Sequence, residues 1–296
     1  MSISAEMSAL DAFFAIQETA GRARLGDRWL LDHVLRRLVL DGVDLATVTA
    51  ADAAVDAPAP TSAGPVTAVL MAGGKGSRLG ELTTKVPKPL LTIGRTTILE
   101  RLLESLFAAN ITDVWISVNY MAEQIEGRIG DGEGYGVQVR YLREEEPLWN
   151  AGALGLLPER PQGPVLVLNT DQITTLNFAR LVEYHLAEEA AITVASIPYD
   201  VEVPYGVLAV EGTRLTAIQE KPRTRFQVNA GFIAVRPDVI DMVTPGQPMN
   251  MVELMEEAMA RGMKVAVFPL LEKWLDVGTP DDLQQALLLF VTGEEV

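Results

Sequence analysis

The stretch "MAGGKGSRLGELTTKVPKPLL" (Met71–Leu91) directly follows the apolar run "VTAVL" at Val66–Leu70, and it places Gly73, Gly74 and Gly76 beside Arg78, Lys75, Lys85 and Lys88. An apolar run that breaks into glycines reads as a buried strand ending in a loop. In an open α/β sheet such a loop lies at the carboxyl end of its strand, where ligands bind. Glycines there let backbone N–H groups turn toward phosphate oxygens without a Cβ in the way. Arg78 adds a fork of donors suited to phosphate, and the three lysines add point charges. The plain alternative is a glycine-rich turn with solvated basic residues. Against it stands the composition: the chain has 24 Lys+Arg against 40 Asp+Glu and a formal net charge of −16.

That acidity opposes general attraction to nucleic-acid backbones or anionic membranes, so any phosphate must be met locally. With no cysteine, disulfides, thiolate metal sites and a cysteine nucleophile are excluded, and two histidines, His33 and His185, are too few for a histidine metal cluster. His185, in "LVEYHLAEE", reads as a half-buried helical residue without a catalytic role. An oxygen-ligated metal such as magnesium remains open. The N-terminus lacks the basic start and apolar core of a signal peptide, and no run approaches membrane-spanning length, so the expectation is a cytoplasmic protein.

Outward from the loop, the pattern alternates. The helix "TILERLLESLFAAN", capped by Thr97, is followed by the strand "DVWISVNY", the helix "AEQIEGRIG" and the strand "VQVRYL". "GPVLVLNTD" is a further apolar strand, and after it come the helix "NFARLVEYHLAEEA" and the strand "AITVASIP". The segment Gly206–Val235 is richer in strands and predicts added antiparallel ones. Helix, strand and helix close the chain in "MVELMEEAMARG", "KVAVFPL" and "PDDLQQALLLF". This order predicts an α/β fold with one open, mostly parallel, Rossmann-like sheet flanked by helices. Ahead of it, the small-residue and proline-rich Ala50–Pro65 reads as a linker, and residues 1–49 as a small helical appendage. The main domain then spans 66–296.

The P-loop string G-x-x-x-x-G-K-[ST] does not occur, and the dinucleotide fingerprint meets Leu79 where its third glycine belongs. Instead, "AGGKGSRL" with Lys88 ten residues beyond Arg78 in "PKPLL" resembles the signature of the sugar-1-phosphate nucleotidylyltransferases. The likeness runs from about Val66 to Ala286 through "YLREEEPLWNAGALGLL", "VPYGVLAV", "IQEKP", "VNAGFIAVRPD" and "WLDVGTPDDLQQA". It is nearest the mannose-1-phosphate guanylyltransferase-like and glucose-1-phosphate thymidylyltransferase-like branches, without the C-terminal β-helix many relatives carry. Trp29–Val48 faintly resembles the closing part of a CBS regulatory module; otherwise it is an appendage that packs on the main domain or on another subunit of a homo-oligomer.

The resemblance implies a GT-A-like nucleotidyltransferase fold and attack of a sugar-1-phosphate oxygen on the α-phosphorus of a nucleoside triphosphate, releasing pyrophosphate. It implies that Arg78 and Lys88 neutralise the triphosphate, that the backbone of Gly73, Gly74, Gly76 and Ser77 cradles its phosphates, and that Asp171 and Asp276 bind Mg²⁺. It further implies that Lys221 holds the sugar phosphate, Glu220 and Asn229 bond sugar hydroxyls, and Gly206 lies against the sugar. The phosphate nucleophile is already mostly dianionic near neutral pH, which explains why no histidine or cysteine base is needed.

Two departures fall near the expected nucleotide site. Trp149 stands where relatives have glycine, so its indole either stacks on the base or fills its pocket. Thr170 stands where a small residue usually precedes the metal-binding aspartate. These leave a second reading beside the enzyme: a degenerate relative that binds nucleotide or sugar nucleotide as a sensor or partner subunit.

Overall fold

In the computed structural model, which describes residues 64–291 together with Arg36, Val39 and Leu40, the apolar run before the glycine loop is strand β1 (Thr67–Met71). The chain continues through a minimal hairpin, β2 (Thr92–Ile93) and β3 (Thr96–Thr97), to β4 (Asp113–Val118), β5 (Gln138–Arg143), β6 (Val165–Asn169) and β7 (Gln172–Thr174). Then come β8 (Ile192–Glu202), β9 (Gly206–Glu211), β10 (Arg214–Glu220), β11 (Arg223–Val235), β12 (Val265–Pro269) and β13 (Trp274–Asp276). Seven of these form one sheet in the order β12-β8-β11-β6-β1-β4-β5. The pairs β1/β4, β1/β6, β4/β5 and β8/β12 are parallel, while β11 runs antiparallel to β6 and β8. The expected antiparallel element thus enters the sheet interior as β11, and β9/β10 forms a separate two-stranded sheet.

Alternation along β1 explains why the sheet is covered twice. Ala68 and Leu70 face a core with Leu99, Leu103 and Leu106 of the Ile98–Ala108 helix and Phe178 of the Phe178–Ala187 helix. Val69 faces the opposite layer, built with Leu154, Val239, Met251 and Leu254. Both faces of a central parallel strand must then be apolar, as the run "AVL" is. The Ile98–Ala108 helix starts where sequence reading puts it, because Thr97 and Glu100 form a reciprocal capping box. No helix among the described residues is long and apolar enough to cross a membrane.

The expected helical appendage over 1–49 and the linker over 50–65 lie outside the described residues, apart from Arg36, Val39 and Leu40, which are helical, and the two residues 64 and 65. From 199 to 227 every residue but Pro222 is exposed. The β9/β10 hairpin and the adjoining ends of β8 and β11 therefore make an arm that projects from the sheet.

His185 is fully buried rather than half-buried, at 2% exposure, because its helix packs on β8 and its Nδ1 pairs with the Thr193 hydroxyl at 2.9 Å. Burial, assisted by the charge of Arg236, pushes its pKa down to about 4. The native state therefore binds fewer protons than the unfolded chain below about pH 6.5, and stability falls as pH drops from there toward 4. Urea unfolding of His185→Gln should lack ~2 kcal/mol of the loss the parent shows between pH 7 and pH 5; equal slopes for both would show that His185 carries none of it.

Candidate active site

Strand register brings the site together. Met71 pairs with Ser117 on one side and Asn169 on the other, and Val118 pairs with Arg143. The residues just past these strands, Ala72–Gly73, Asn119, Glu144 and Thr170–Asp171, therefore emerge along one carboxyl edge. All of these but Asn119 border a cavity of about 650 Å³. Its floor is the glycine loop, with Gly73, Gly74, Gly76, Ser77 and Arg78; Lys88 and Asp171 form one wall, and Glu144, Pro147, Trp149 and Asn150 another.

The loop's path depends on Gly76. It has φ +61, in the left-handed region, and a Cβ there would stand 3.1 Å from Cβ of Lys88 and from Cγ2 of Thr83. The Thr83 hydroxyl donates to the Gly76 carbonyl at 3.1 Å and closes the turn. Lys88 is consequently drawn beneath the loop and buried, and its Nζ meets Oδ2 of Asp171 at 2.7 Å.

Asp276 joins from a distant segment. Strand β13 pairs antiparallel with β7, setting Asp276 opposite Gln172, and the Val277 N–H donates to the Asp171 carbonyl at 2.8 Å. A Cβ on Gly278 would lie 2.8 Å from Oδ2 of Asp276 and 3.3 Å from Nη1 of Arg78, so this glycine opens the space in which guanidinium and carboxylate approach. Burial, followed by the neighbouring charge of Asp171, raises the Asp276 pKa. Oδ1 of Asp171 and Oδ1 of Asp276 are both buried without a hydrogen-bond partner. Two orphaned carboxylate oxygens on facing segments suit a hard divalent cation that takes its other oxygens from water and phosphate.

The remaining expected residues are distributed differently. Asn229 stays at the sheet edge, where its Oδ1 accepts from the Gly231 N–H at 2.8 Å. Gly206, Glu220 and Lys221 sit on the exposed arm and do not line the cavity. Lys221 itself adopts φ +44. Trp149 is 56% exposed at the cavity wall with φ +59, a conformation costly for a bulky residue. Thr170 borders the cavity, and its hydroxyl donates to the Met71 carbonyl at 2.7 Å, which ties the end of β6 to the end of β1.

Sequence reasoning passed over Glu144. Its carboxylate accepts from the Ser117 hydroxyl and, at 2.8 Å, from the Leu148 N–H, so it anchors the turn carrying Trp149. Glu144 likewise follows a strand end, but β5 is a half-exposed edge strand in which Gln138, Arg140 and Arg143 are exposed, so the signal is weaker than the buried run before Asp171. Asn250 caps the Met251–Ala260 helix in a box with Glu253 and also borders the cavity.

A glycine loop, a lysine buried beneath it and two carboxylates, one just past β6 and one at the end of β13, accompany the class: the chain belongs to the nucleotidyl transferase family, whose model matches residues 67–291. It is 32% identical over 235 residues to the mannose-1-phosphate guanyltransferase of Candida albicans, covering 76% of this chain and 64% of that protein. The mannose-1-phosphate guanylyltransferase of Mycobacterium tuberculosis is 30% identical over 235 residues, covering 77% of this chain and 65% of the relative. The chain thus spans just under two thirds of the length of these relatives. Among solved structures, one assigned as a glucose-1-phosphate thymidylyltransferase from Bacillus anthracis aligns with TM-score 0.62 and 23% identity, covering 76% of this chain and 94% of that one. HddC from Yersinia pseudotuberculosis complexed with GMP-PN aligns with TM-score 0.58 and 21% identity, covering 76% and 99%. Both share the fold.

In the absence of a cation, two partly buried carboxylates oppose each other. Asp276→Asn should therefore raise Tm in chelator by ~2–4 °C, the shift expected for about 1 kcal/mol in a domain of this size. Millimolar magnesium should then stabilise the parent but not the variant; a lower Tm for the variant in chelator would mean the two carboxylates do not strain the apo protein.

Proposed function

We propose that this chain transfers a nucleoside monophosphate from a nucleoside triphosphate to a hexose-1-phosphate, giving a nucleoside-diphosphate sugar and pyrophosphate. The observation that carries this is the pair of orphaned carboxylate oxygens of Asp171 and Asp276 beside a glycine-floored cavity with Lys88 and Arg78 at its side. The names of the curated relatives favour guanosine triphosphate and mannose-1-phosphate as the substrate pair.

An oxygen of the sugar phosphate forms the new bond to the α-phosphorus as the bond to the bridging α,β-oxygen breaks, and pyrophosphate leaves with that electron pair. No proton has to be removed from the nucleophile, so the protein's task is alignment and charge compensation. The amides of Gly73–Ser77 receive the phosphates, and Arg78, exposed beside Gly278, offers its fork to the β- and γ-groups. Lys88, held against Asp171, stabilises charge building on the transferred phosphoryl group. A magnesium ion held by Asp171 and Asp276 would supply charge neutralisation between the two anionic substrates. Trp149 offers its indole face to the base, and Gly206, Glu220, Lys221 and Asn229 serve the sugar phosphate from the arm and the sheet edge. The setting is the cytoplasm, with small-molecule partners and neither nucleic acid nor membrane.

The left-handed, solvent-facing Trp149 favours one second reading, a chain that binds nucleotide without turning it over. Pyrophosphate release measured with magnesium across the common nucleoside triphosphates and hexose-1-phosphates separates the two. Release with one pair, reduced at least ~100-fold in Asp171→Asn, is the expected result. Saturable nucleotide binding with silence across the whole matrix would instead establish the sensor or partner-subunit reading. In an active parent, Lys221→Ala should raise KM for the sugar phosphate about tenfold with little change in KM for the nucleotide; an unchanged value removes Lys221 from the sugar side.

A further inference from the structure

Between β12 and the site, the chain from Pro269 to Val277 forms a strap fastened at several points. At the site end, the Val277 N–H holds the Asp171 carbonyl at 2.8 Å. Midway, the Lys273 carbonyl accepts from the Thr175 N–H at 3.2 Å and the Thr174 hydroxyl at 2.9 Å, and the Trp274 indole donates to the Ala230 carbonyl at 2.9 Å. The fastening at the start comes from outside the family-matched residues 67–291. Arg36, 1% exposed, donates from Nη1 to the Pro269 carbonyl at 2.8 Å and to Oε2 of Glu272 at 3.1 Å, and from Nη2 to Oε1 of Glu272 at 2.6 Å. Its guanidinium also lies 4.0 Å from the ring centroid of Phe268.

We propose that Arg36 is a positioning residue for Asp276: by clamping Glu272 and Pro269 it fixes the origin of the strap, and thereby the placement of the metal-site carboxylate four residues further on. The proposal rests on the reading of Asp171 and Asp276 as magnesium ligands. Glu272 is only 15% exposed, so without the guanidinium its charge would be left largely out of water with no countercharge from Arg36, supported by the Leu271 N–H at 3.0 Å, in a chain already at −16. The favourable escape is for Glu272 to swing into water, which pulls the start of the strap with it. Oδ1 of Asp276 has no hydrogen-bond partner to hold it, so its position follows the backbone of β13. A shift at Glu272 bears first on the adjoining Lys273 and Trp274, whose hydrogen bonds to Thr174, Thr175 and Ala230 seat β13, and through that strand on the cation site, whereas the glycine loop and Lys88 are carried by other segments. Bidentate geometry also makes the site selective for arginine, since a lysine ammonium cannot meet both carboxylate oxygens and the carbonyl in one plane.

The test uses the full chain and magnesium chloride alone, reading the concentration that raises Tm by a fixed ~2 °C, which scales with the dissociation constant, with nucleotide affinity in chelator as the control. Arg36→Ala and Glu272→Gln should each raise that concentration about tenfold, the low end of what partners of ligand-bearing groups contribute. The double variant should be no worse than either single one, because both act through one contact. Nucleotide affinity in chelator should stay within about twofold of the parent. Arg36→Lys, which keeps the charge and the fold, should give an intermediate shift, and it carries the test if Arg36→Ala fails to fold. Unchanged magnesium dependence in folded Arg36→Lys and Glu272→Gln, with only Tm lowered, would overturn the proposal by making the contact purely structural. A parent that itself shows no magnesium response would overturn the metal reading and this inference together, whereas a responding parent with insensitive variants overturns the Arg36 assignment alone.

Discussion

The ion pair between Lys88 and Asp171, 2.7 Å long and largely withdrawn from water, is the contact on which the site depends. One partner belongs to the segment that leaves the glycine loop, the other to the end of a central strand. Joining them sets the height of the loop above the sheet edge. The loop can close over Lys88 only because Gly76 turns left-handed and has no Cβ to collide with the lysine stem. Removing either charge would strand the other in a partly dry setting, where a lone charge costs far more than the pair gains. The same pair decides the electrostatics beyond itself. Lys88 occupies one oxygen of Asp171 and leaves the other facing Asp276, so two carboxylates share a space that neither protein cation fills.

Around this centre the protein divides into a stiff half and an exposed half. The cavity side rests on β1 and β6, buried on both faces, and on β4 and β5, with the residues at the carboxyl edge placed by parallel register. Gly206, Glu220 and Lys221, proposed for the sugar, sit on an arm whose residues, apart from Pro222, are exposed from 199 to 227. Few buried apolar contacts hold such an arm, so it belongs to the easily displaced part of the structure. For the proposed reaction between two mutually repelling anions, such a pairing of a pre-set pocket with an adjustable arm is favourable. Trp149 is the exception on the stiff side. Its left-handed backbone is tolerated because the turn around it is tied by the Glu144 carboxylate to the Leu148 N–H and by the Asn150 side chain to the Met251 N–H at 2.8 Å.

Arg36 adds a part that belongs to this chain rather than to the family domain. Its buried guanidinium satisfies a carbonyl, a carboxylate and an aromatic face at once. Such a set of partners fixes a contact in one geometry, which suits an anchor better than a mobile surface pair.

The sequence by itself determined the sheet. Period-2 and apolar runs against 3.6-residue periodicity specify β1, β4, β6 and the Ile98–Ala108 helix, because burial on both faces demands uninterrupted apolar strands. Its motifs also marked Gly76, Arg78, Lys88 and Asp171, since a loop after a buried strand has one place to go. Tertiary structure alone decided the rest. That β11 enters the sheet interior in reverse and that Glu144 braces the Trp149 turn depend on pairings between distant segments, for which local periodicity carries no signal; the joining of Asp171 and Asp276 was implied by the family resemblance, and the β13/β7 pairing supplies its geometry. His185 reads as half-buried because its own helix is amphipathic, and only the packing of that helix on β8 seals it. Arg36 was illegible for the same reason. An arginine on a helix looks solvated until a carboxylate more than two hundred residues away closes over it, and that meeting is a property of the folded chain.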